Sequence, residues 1–196
     1  ITPAHKAGVL AAASAGKPVI CEKPLARNVA DCEEMIAACN AAGVPLFVAQ
    51  VVRFFPQFAK AKEVLASGQL GNLGVIRTVR AGSMPAANER SWFHDFEQSG
   101  GVIMDLGIHD LDFVRWCFGE VERIFARGLT YNQEVGRDHA LMTLRFKNGA
   151  VGHIESSWAH PAGQFRTRFE IAGDDGLMEW DSLHDNPLRL ALVGDE

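Results

Sequence analysis

Hydrophobic and polar positions follow two different patterns along the chain, and the change occurs near residue 50. The first part predicts a helix over 5–15, a short buried strand over 19–21, a helix capped by Asn28 and another buried strand over 45–49. Uninterrupted apolar strands between helices are typical of a parallel sheet with both faces covered. The first part therefore predicts an α/β unit.

The second part begins with helices and ends in strands. The pattern predicts helices over 56–66 and 101–117, and strands over 75–81, 141–146, 151–158 and 165–171. Asn148-Gly149 is a strong signal for a hairpin turn between two of these strands. This arrangement predicts an α+β unit with a largely antiparallel sheet. We place the two domains at residues 1–52 and 53–196.

Composition and charge exclude several classes of protein. The 196 residues include 19 Lys and Arg against 24 Asp and Glu, which gives a net charge of −5. Such a chain has no positive field to attract phosphates, so nucleic acid is not an expected partner. No apolar run is long enough to span a membrane. Four cysteines without a C-x-x-C pair predict reduced thiols and a cytoplasmic protein.

Glu22-Lys23-Pro24 directly follows a predicted parallel strand. Ligands of open α/β sheets bind beyond the carboxyl ends of the strands, so Lys23 is a candidate to donate a hydrogen bond to a substrate oxygen. A surface ion pair between Glu22 and Lys23 is the other interpretation, because such pairs are common in loops.

Asp105 and His109 are four residues apart in the predicted helix over 101–117, and Asp112 continues the same polar stripe. Residues at this spacing share one helix face, where a carboxylate can orient an imidazole and stabilise its charged form. The pair is thus a candidate general acid and base. A purely structural hydrogen bond is one alternative, and half of a metal site completed by His94 is another. Because no further ligand has recognisable spacing, we predict no metal.

Arg53 lies where the first predicted domain meets the second. Clefts between domains are favoured ligand sites, and a guanidinium there can bind hydroxyl groups or a carboxylate. An ion pair between the domains, with Asp112 as partner, is the alternative. Trp92 precedes the long helix and can either cover a cofactor or pack in the core.

Several short motifs occur in a fixed order: Thr2-Pro3-x-His5, Gly16-Lys17-Pro18-Val19, Glu22-Lys23-Pro24-Leu25-Ala26, Arg53-Phe54, Ser67-Gly68-x-Leu70-Gly71, Trp92 and Gly100-Gly101-Val102-x-Met104-Asp105-x-Gly107-x-His109-x-x-Asp112. In this order they resemble the glucose–fructose oxidoreductase, inositol dehydrogenase and rhizopine-catabolism family of NAD(P)-dependent enzymes. The resemblance implies the end of a Rossmann domain followed by an α+β domain with a large, mostly antiparallel sheet.

The resemblance also implies roles for individual residues. It assigns NAD or NADP contacts to Thr2, Pro3, His5, Glu22, Lys23 and Trp92, substrate contacts to Arg53, Asn88, Asp105 and His109, and catalysis to Lys23, Asp105 and His109. The expected reaction is hydride transfer between the nicotinamide and a secondary alcohol of a sugar or polyol. In it His109 takes the hydroxyl proton, Asp105 orients the imidazole, and Lys23 holds the reacting oxygen.

Two other functions remain open at this point. Some members of the same family are glycosidases that use NAD only transiently, and a non-catalytic ligand-binding or regulatory module is also compatible with the chain. The sequence contains no G-x-G-x-x-G motif for the cofactor's pyrophosphate. We therefore expect an internal fragment of a longer enzyme, itself inactive, and a homo-oligomer formed through the exposed face of the sheet.

Overall fold

The computed structural model describes residues 1–84, 92–131, 137–185 and 188–194. The helices are α1 His5–Ser14, α2 Val29–Ala41, α3 Pro56–Ala66, the short α4 Phe96–Ser99 and α5 Ile108–Phe118. The strands are β1 Val19–Glu22, β2 Leu46–Ala49, β3 Leu73–Gly82, β4 Val121–Leu129, β5 His139–Phe146, β6 Val151–Ser157, β7 Phe165–Gly173, β8 Gly176–Asp181 and β9 Arg189–Leu192. These elements confirm the predicted α/β start and the α+β continuation.

β1 and β2 form a parallel two-stranded sheet covered by α1 and α2. The Asn28 side chain accepts a hydrogen bond from the Asp31 amide at 2.8 Å, which confirms the predicted helix cap. The expectation that both faces of this sheet are covered is wrong for the described chain. Both helices pack on one face, and on the other face Ile20 is 80% exposed and Phe47 is 61% exposed.

The second sheet has seven strands in the order β4-β5-β6-β3-β7-β8-β9. β3 and β6 run parallel, whereas every other neighbouring pair is antiparallel, so the prediction of a mostly antiparallel sheet is confirmed. The predicted hairpin joins β5 to β6, and Gly149 adopts the positive φ of 92° that its turn requires. The predicted domain boundary falls inside a short 3₁₀ turn, Val51–Phe54, and stays a prediction.

The core of the second unit lies between this sheet and the helices α3 and α5. Phe58 from α3 is fully buried at its centre. Its ring makes edge contacts with Phe113 at 4.8 Å, Phe169 at 5.2 Å and Trp180 at 5.8 Å between centroids. One aromatic side chain therefore joins both helices to the sheet.

The predicted continuous helix over 101–117 is wrong in one respect. Residues Ile103–Gly107 form a turn of π-helix, called here the π-turn, directly before α5. A Cβ atom added to Gly107 would lie 3.1 Å from Ser156 Oγ of β6. The absence of a side chain thus lets the backbone of the π-turn lie against the sheet.

The position of Phe58 generates a stability prediction. We expect Phe58→Ala to lower the free energy of unfolding by about 3–5 kcal/mol, because it leaves a cavity among packed aromatic rings. Phe54→Ala, a matched control at a position 83% exposed, should change it by less than about 0.5 kcal/mol. Urea unfolding followed by circular dichroism measures both values, and equal losses would contradict the assignment of Phe58 as the centre of the core.

Candidate active site

Lys23 lies just beyond the carboxyl end of β1, as the sequence predicts. Its ammonium group donates to the main-chain oxygen of Asp105 at 2.8 Å and to the Asp105 carboxylate at 3.1 Å. The two side chains are 18% and 19% exposed, so the contact is largely withdrawn from solvent. A pair of this kind fixes the ammonium group in one position while leaving one side accessible. The alternative of a Glu22–Lys23 surface pair is replaced by this contact with Asp105.

The predicted orientation of His109 by Asp105 is wrong. The Asp105 carboxylate is directed at Lys23, and Nδ1 of His109 is buried with no hydrogen-bond partner among the described residues. The π-turn is the physical reason, because its backbone hydrogen bonds span five residues and side chains four apart no longer stack as in an α-helix. Asp105 lies in this turn, whereas His109 lies in the regular helix α5.

His109 occupies an environment that opposes its protonation. Burial is the largest cause, followed by the positive charges of Lys23 and Arg80, and together they lower the pKa of His109 from 6.5 to about 3. The imidazole is therefore neutral near pH 7, with a ring nitrogen able to accept a proton. The sequence predicts that Asp105 stabilises the charged form of His109. In the structure, the surroundings of the ring favour its neutral form instead.

The structure adds an ion pair that the sequence interpretation missed. Arg80 of β3 donates through Nε to Asp110 at 2.8 Å, and both side chains are almost completely buried at 4% and 0% exposure. The alternation along β3 could have indicated that Arg80 is buried, because Arg80 occupies an inward position like Ile76 and Thr78.

Arg53 binds Asp112 through two hydrogen bonds of 2.7 and 2.6 Å. Its guanidinium also lies 5.4 Å from the ring centre of Trp116. The ion-pair alternative, with Asp112 as partner, is therefore confirmed, and a substrate contact through the exposed part of Arg53 stays a prediction.

A small cleft of about 260 Å³ opens beside the Lys23–Asp105 pair. Its lining brings together four of the predicted cofactor contacts, Thr2, Glu22, Lys23 and Trp92, with Ile1, Pro24, Phe93, Ser99, Met104 and Asp105. Among the other predicted contacts, Pro3 is exposed and His5 bonds to the Pro24 carbonyl at 3.0 Å, and neither lines the cleft. Asn88 lies outside the described residues.

The packing interpretation of Trp92 is confirmed, and its contact with a cofactor stays a prediction. Its ring stacks on Phe93 with 4.3 Å between centroids, and Phe93 in turn makes an edge contact with the buried Trp158. Trp92 thus packs and also forms one wall of the cleft. Aromatic, hydroxyl, carboxylate and ammonium groups around one small cleft fit the nicotinamide riboside end of a dinucleotide, which presents a planar ring, hydroxyls and an amide.

Metal binding and membrane spanning have no support in the described part of the chain. No group of three or more His, Cys, Asp or Glu side chains there is arranged to hold a metal ion. Within the same residues, no helix is both long and apolar enough to cross a membrane. The four cysteines are free thiols.

Two family models match the chain. Residues 1–50 match an oxidoreductase family with an NAD-binding Rossmann fold, and residues 58–179 match the GFO/IDH/MocA C-terminal domain. Myo-inositol 2-dehydrogenase of Thermotoga maritima is 35% identical over 195 residues, which cover 96% of this chain and 57% of the relative. Trans-1,2-dihydrobenzene-1,2-diol dehydrogenase of Bos taurus is 32% identical over 195 residues, with 98% and 56% covered.

A solved structure of similar fold is levoglucosan dehydrogenase in complex with NADH and L-sorbose. It matches with a TM-score of 0.88 and 28% identity over 98% of this chain and 55% of that structure. The chain thus spans a little over half the length of the relatives it matches. With both family models matched in the expected order, the chain belongs to the GFO/IDH/MocA family of oxidoreductases.

Proposed function

We propose that the protein containing this chain is a dehydrogenase or reductase that transfers a hydride between a nicotinamide dinucleotide and a secondary alcohol of a sugar or polyol. The observation that carries the proposal is the position of the Lys23–Asp105 pair beside the cleft at the end of β1, with a neutral His109 close to Lys23. The names of the relatives, an inositol and a levoglucosan dehydrogenase, support a polyhydroxylated substrate.

The cofactor would be held at its nicotinamide end by the residues around the small cleft. Thr2 and Glu22 offer polar groups for the ribose and amide, and Trp92 offers a flat apolar wall. When bound, the nicotinamide accepts or supplies the hydride. NAD is the first choice over NADP, because NADH is present in the levoglucosan dehydrogenase complex.

The chain's own residues would handle the proton and the charge on the reacting oxygen. Lys23 donates a hydrogen bond to the substrate hydroxyl oxygen and stabilises the negative charge that develops there. Asp105 holds the ammonium group in place through its main-chain oxygen and one carboxylate oxygen. The bond between oxygen and hydrogen breaks as an imidazole nitrogen of His109 takes the proton, while the hydride leaves the carbon.

The remaining parts of the proposal concern location and assembly. Free cysteines support a reducing compartment, the cytoplasm.

The sheet face opposite the helices carries exposed apolar side chains on several strands, including Phe125, Leu141 and Leu177. We propose that a second copy of the chain covers this face, since such a surface next to charged residues is typical of homo-oligomer interfaces.

The catalytic proposal predicts a loss of turnover on removal of the base. His109→Ala in the complete protein should lower kcat by about 10²–10⁴-fold, as expected for a positioned general base, and leave the affinity for the cofactor nearly unchanged. His184→Ala, at an exposed position in the turn after β8, is the matched control. Steady-state kinetics with a panel of polyols, together with cofactor titration, measures both quantities.

The outcome distinguishes the alternatives. Unaltered turnover in His109→Ala would remove the residue from the mechanism. Product formation without net NADH would favour the NAD-using glycosidase. Substrate binding with no turnover of any polyol would favour the non-catalytic module.

The buried neutral His109 predicts a pH dependence of stability. Its pKa falls from 6.5 to about 3 on folding, so at pH values between these limits the unfolded chain binds a proton that the folded chain does not. The free energy of unfolding should therefore decrease as the pH is lowered through this range, by about 1.4 kcal/mol per unit. Urea unfolding at a series of pH values should show that His109→Gln reduces this slope and that His184→Gln, at an exposed position, does not. Identical slopes in all three proteins would contradict the buried neutral state.

The proposed interface predicts a change in assembly. Leu141→Arg, on the outer face of β5, should weaken self-association at least about tenfold by burying an unpaired charge, equivalent to about 1.4 kcal/mol. Leu183→Arg, in the turn after β8 and 61% exposed, is the control. Light scattering after size exclusion measures the mass, and an unchanged dissociation constant for Leu141→Arg would place any interface elsewhere.

A further inference from the structure

The ion pair of Arg80 and Asp110 has no part in the reaction proposed above, yet it lies next to the base. Asp110 directly follows His109 in α5 and is fully buried. Arg80 of β3 contacts it with Nε at 2.8 Å and with Nη2 at 3.4 Å. The pair therefore links α5 to β3, the central strand of the larger sheet.

Three side chains contact the guanidinium of Arg80. Besides Asp110, its Nη1 lies 3.5 Å from the hydroxyl of Thr167 on β7, and its guanidinium lies 5.7 Å from the ring centre of Phe58 on α3. A buried charge pair costs desolvation free energy, and apolar side chains of similar volume commonly fill such a space without loss of stability. The fixed geometry of this guanidinium is the feature that apolar side chains would not reproduce.

The geometry of α5 connects this pair to His109. Consecutive residues of an α-helix point about 100° apart around the axis, since 3.6 residues complete a turn. Because Asp110 points toward β3, the side chain of His109 points about 100° away from that direction around the helix axis. There the positive charge of Lys23 opposes protonation of the imidazole. A rotation of α5 about its axis would therefore carry His109 away from Lys23 and separate Asp110 from Arg80 together.

The charges around His109 come from two other elements. Lys23 at the end of β1 and Arg80 on β3 are the cations that act on the imidazole, and both oppose its protonation. Asp105 and Asp110 belong to its own helical segment, and each is bound to one of these cations. Arg80 thus lies in a position to set both the direction and the charge state of the ring.

We propose that Arg80 and Asp110 are positioning residues for His109, which fix the rotation of α5 and place a permanent cation close to the imidazole. The inference rests on the proposed function for the role of His109 as base. Arg80 and Asp110 bind each other and are at most 4% exposed, so we assign them no contact with substrate or cofactor.

The test is the double variant Arg80→Met with Asp110→Leu in the complete protein, because removing both charges avoids a buried unpaired ion. We expect a folded protein by circular dichroism, with kcat lowered at least about tenfold, which corresponds to about 1.4 kcal/mol in the activation barrier. Loss of the cation should also raise the proton affinity of His109 at least about threefold, as measured by NMR titration of labelled imidazoles. Lys60→Met, which removes an exposed cation of α3, is the matched control and should change neither quantity.

Each outcome decides the proposal. A folded double variant with unchanged His109 titration and unchanged kcat would show that the pair is only structural. If the double variant does not fold, Arg80→Lys replaces it. That variant keeps the cation but loses the forked contact, so kcat should fall while the titration stays in place, and an unchanged kcat would overturn the inference.

The NMR readout also separates this proposal from the proposed function. If His109→Ala retains full turnover, the role of His109 as base fails. A shifted titration in the double variant would still establish that Arg80 and Asp110 control the imidazole.

Discussion

Close contact between the π-turn and β6 is the constraint on which the candidate site depends. Gly107, the last residue of the π-turn, has no side chain to hold the backbone away from Ser156, and the turn directs Asp105 toward the end of β1. Lys23 can then bind two oxygens of a residue 82 positions further along the chain. A regular helix at this point would return Asp105 to the face of His109 and leave the ammonium group of Lys23 without these partners.

Three carboxylates from this helical stretch bind three cations from different parts of the fold. Asp105 binds Lys23 at the end of β1, Asp110 binds Arg80 on β3, and Asp112 binds Arg53 in the 3₁₀ turn before α3. Each pair restricts a different motion of the helix, because each cation belongs to another element. His109 lies among these pairs as an uncharged group. The arrangement combines a rigid helix with a base that carries no charge of its own.

Local signals in the sequence were sufficient for most of the fold. The cap at Asn28, the turn at Asn148-Gly149 and the helix Pro56–Ala66 were all predicted, because each is encoded by residues close together in the chain. Lys23 and Asp105 were singled out from their positions on a strand end and a helix. Their mutual contact was missed, since hydrophobic periodicity does not distinguish a π-turn inside a helical segment from regular helix. The Arg80–Asp110 pair was missed because it depends on packing α5 against β3, although the alternation of β3 placed Arg80 inward.

A buried histidine of low proton affinity is a reasonable base only if the reaction itself changes the field around it. Lys23 and Arg80 oppose a proton on the imidazole when no negative charge is near. In the proposed reaction, the substrate oxygen becomes negative as the hydroxyl gives up its proton, and Lys23 would then stabilise that negative charge. The stabilisation of the oxygen by Lys23 would thus offset the free energy that this cation costs the protonated imidazole. In this proposal, the positive charge of Lys23 would favour the transition state, in which the oxygen carries negative charge, over the ligand-free state, and this is the condition for catalysis by a preorganised site.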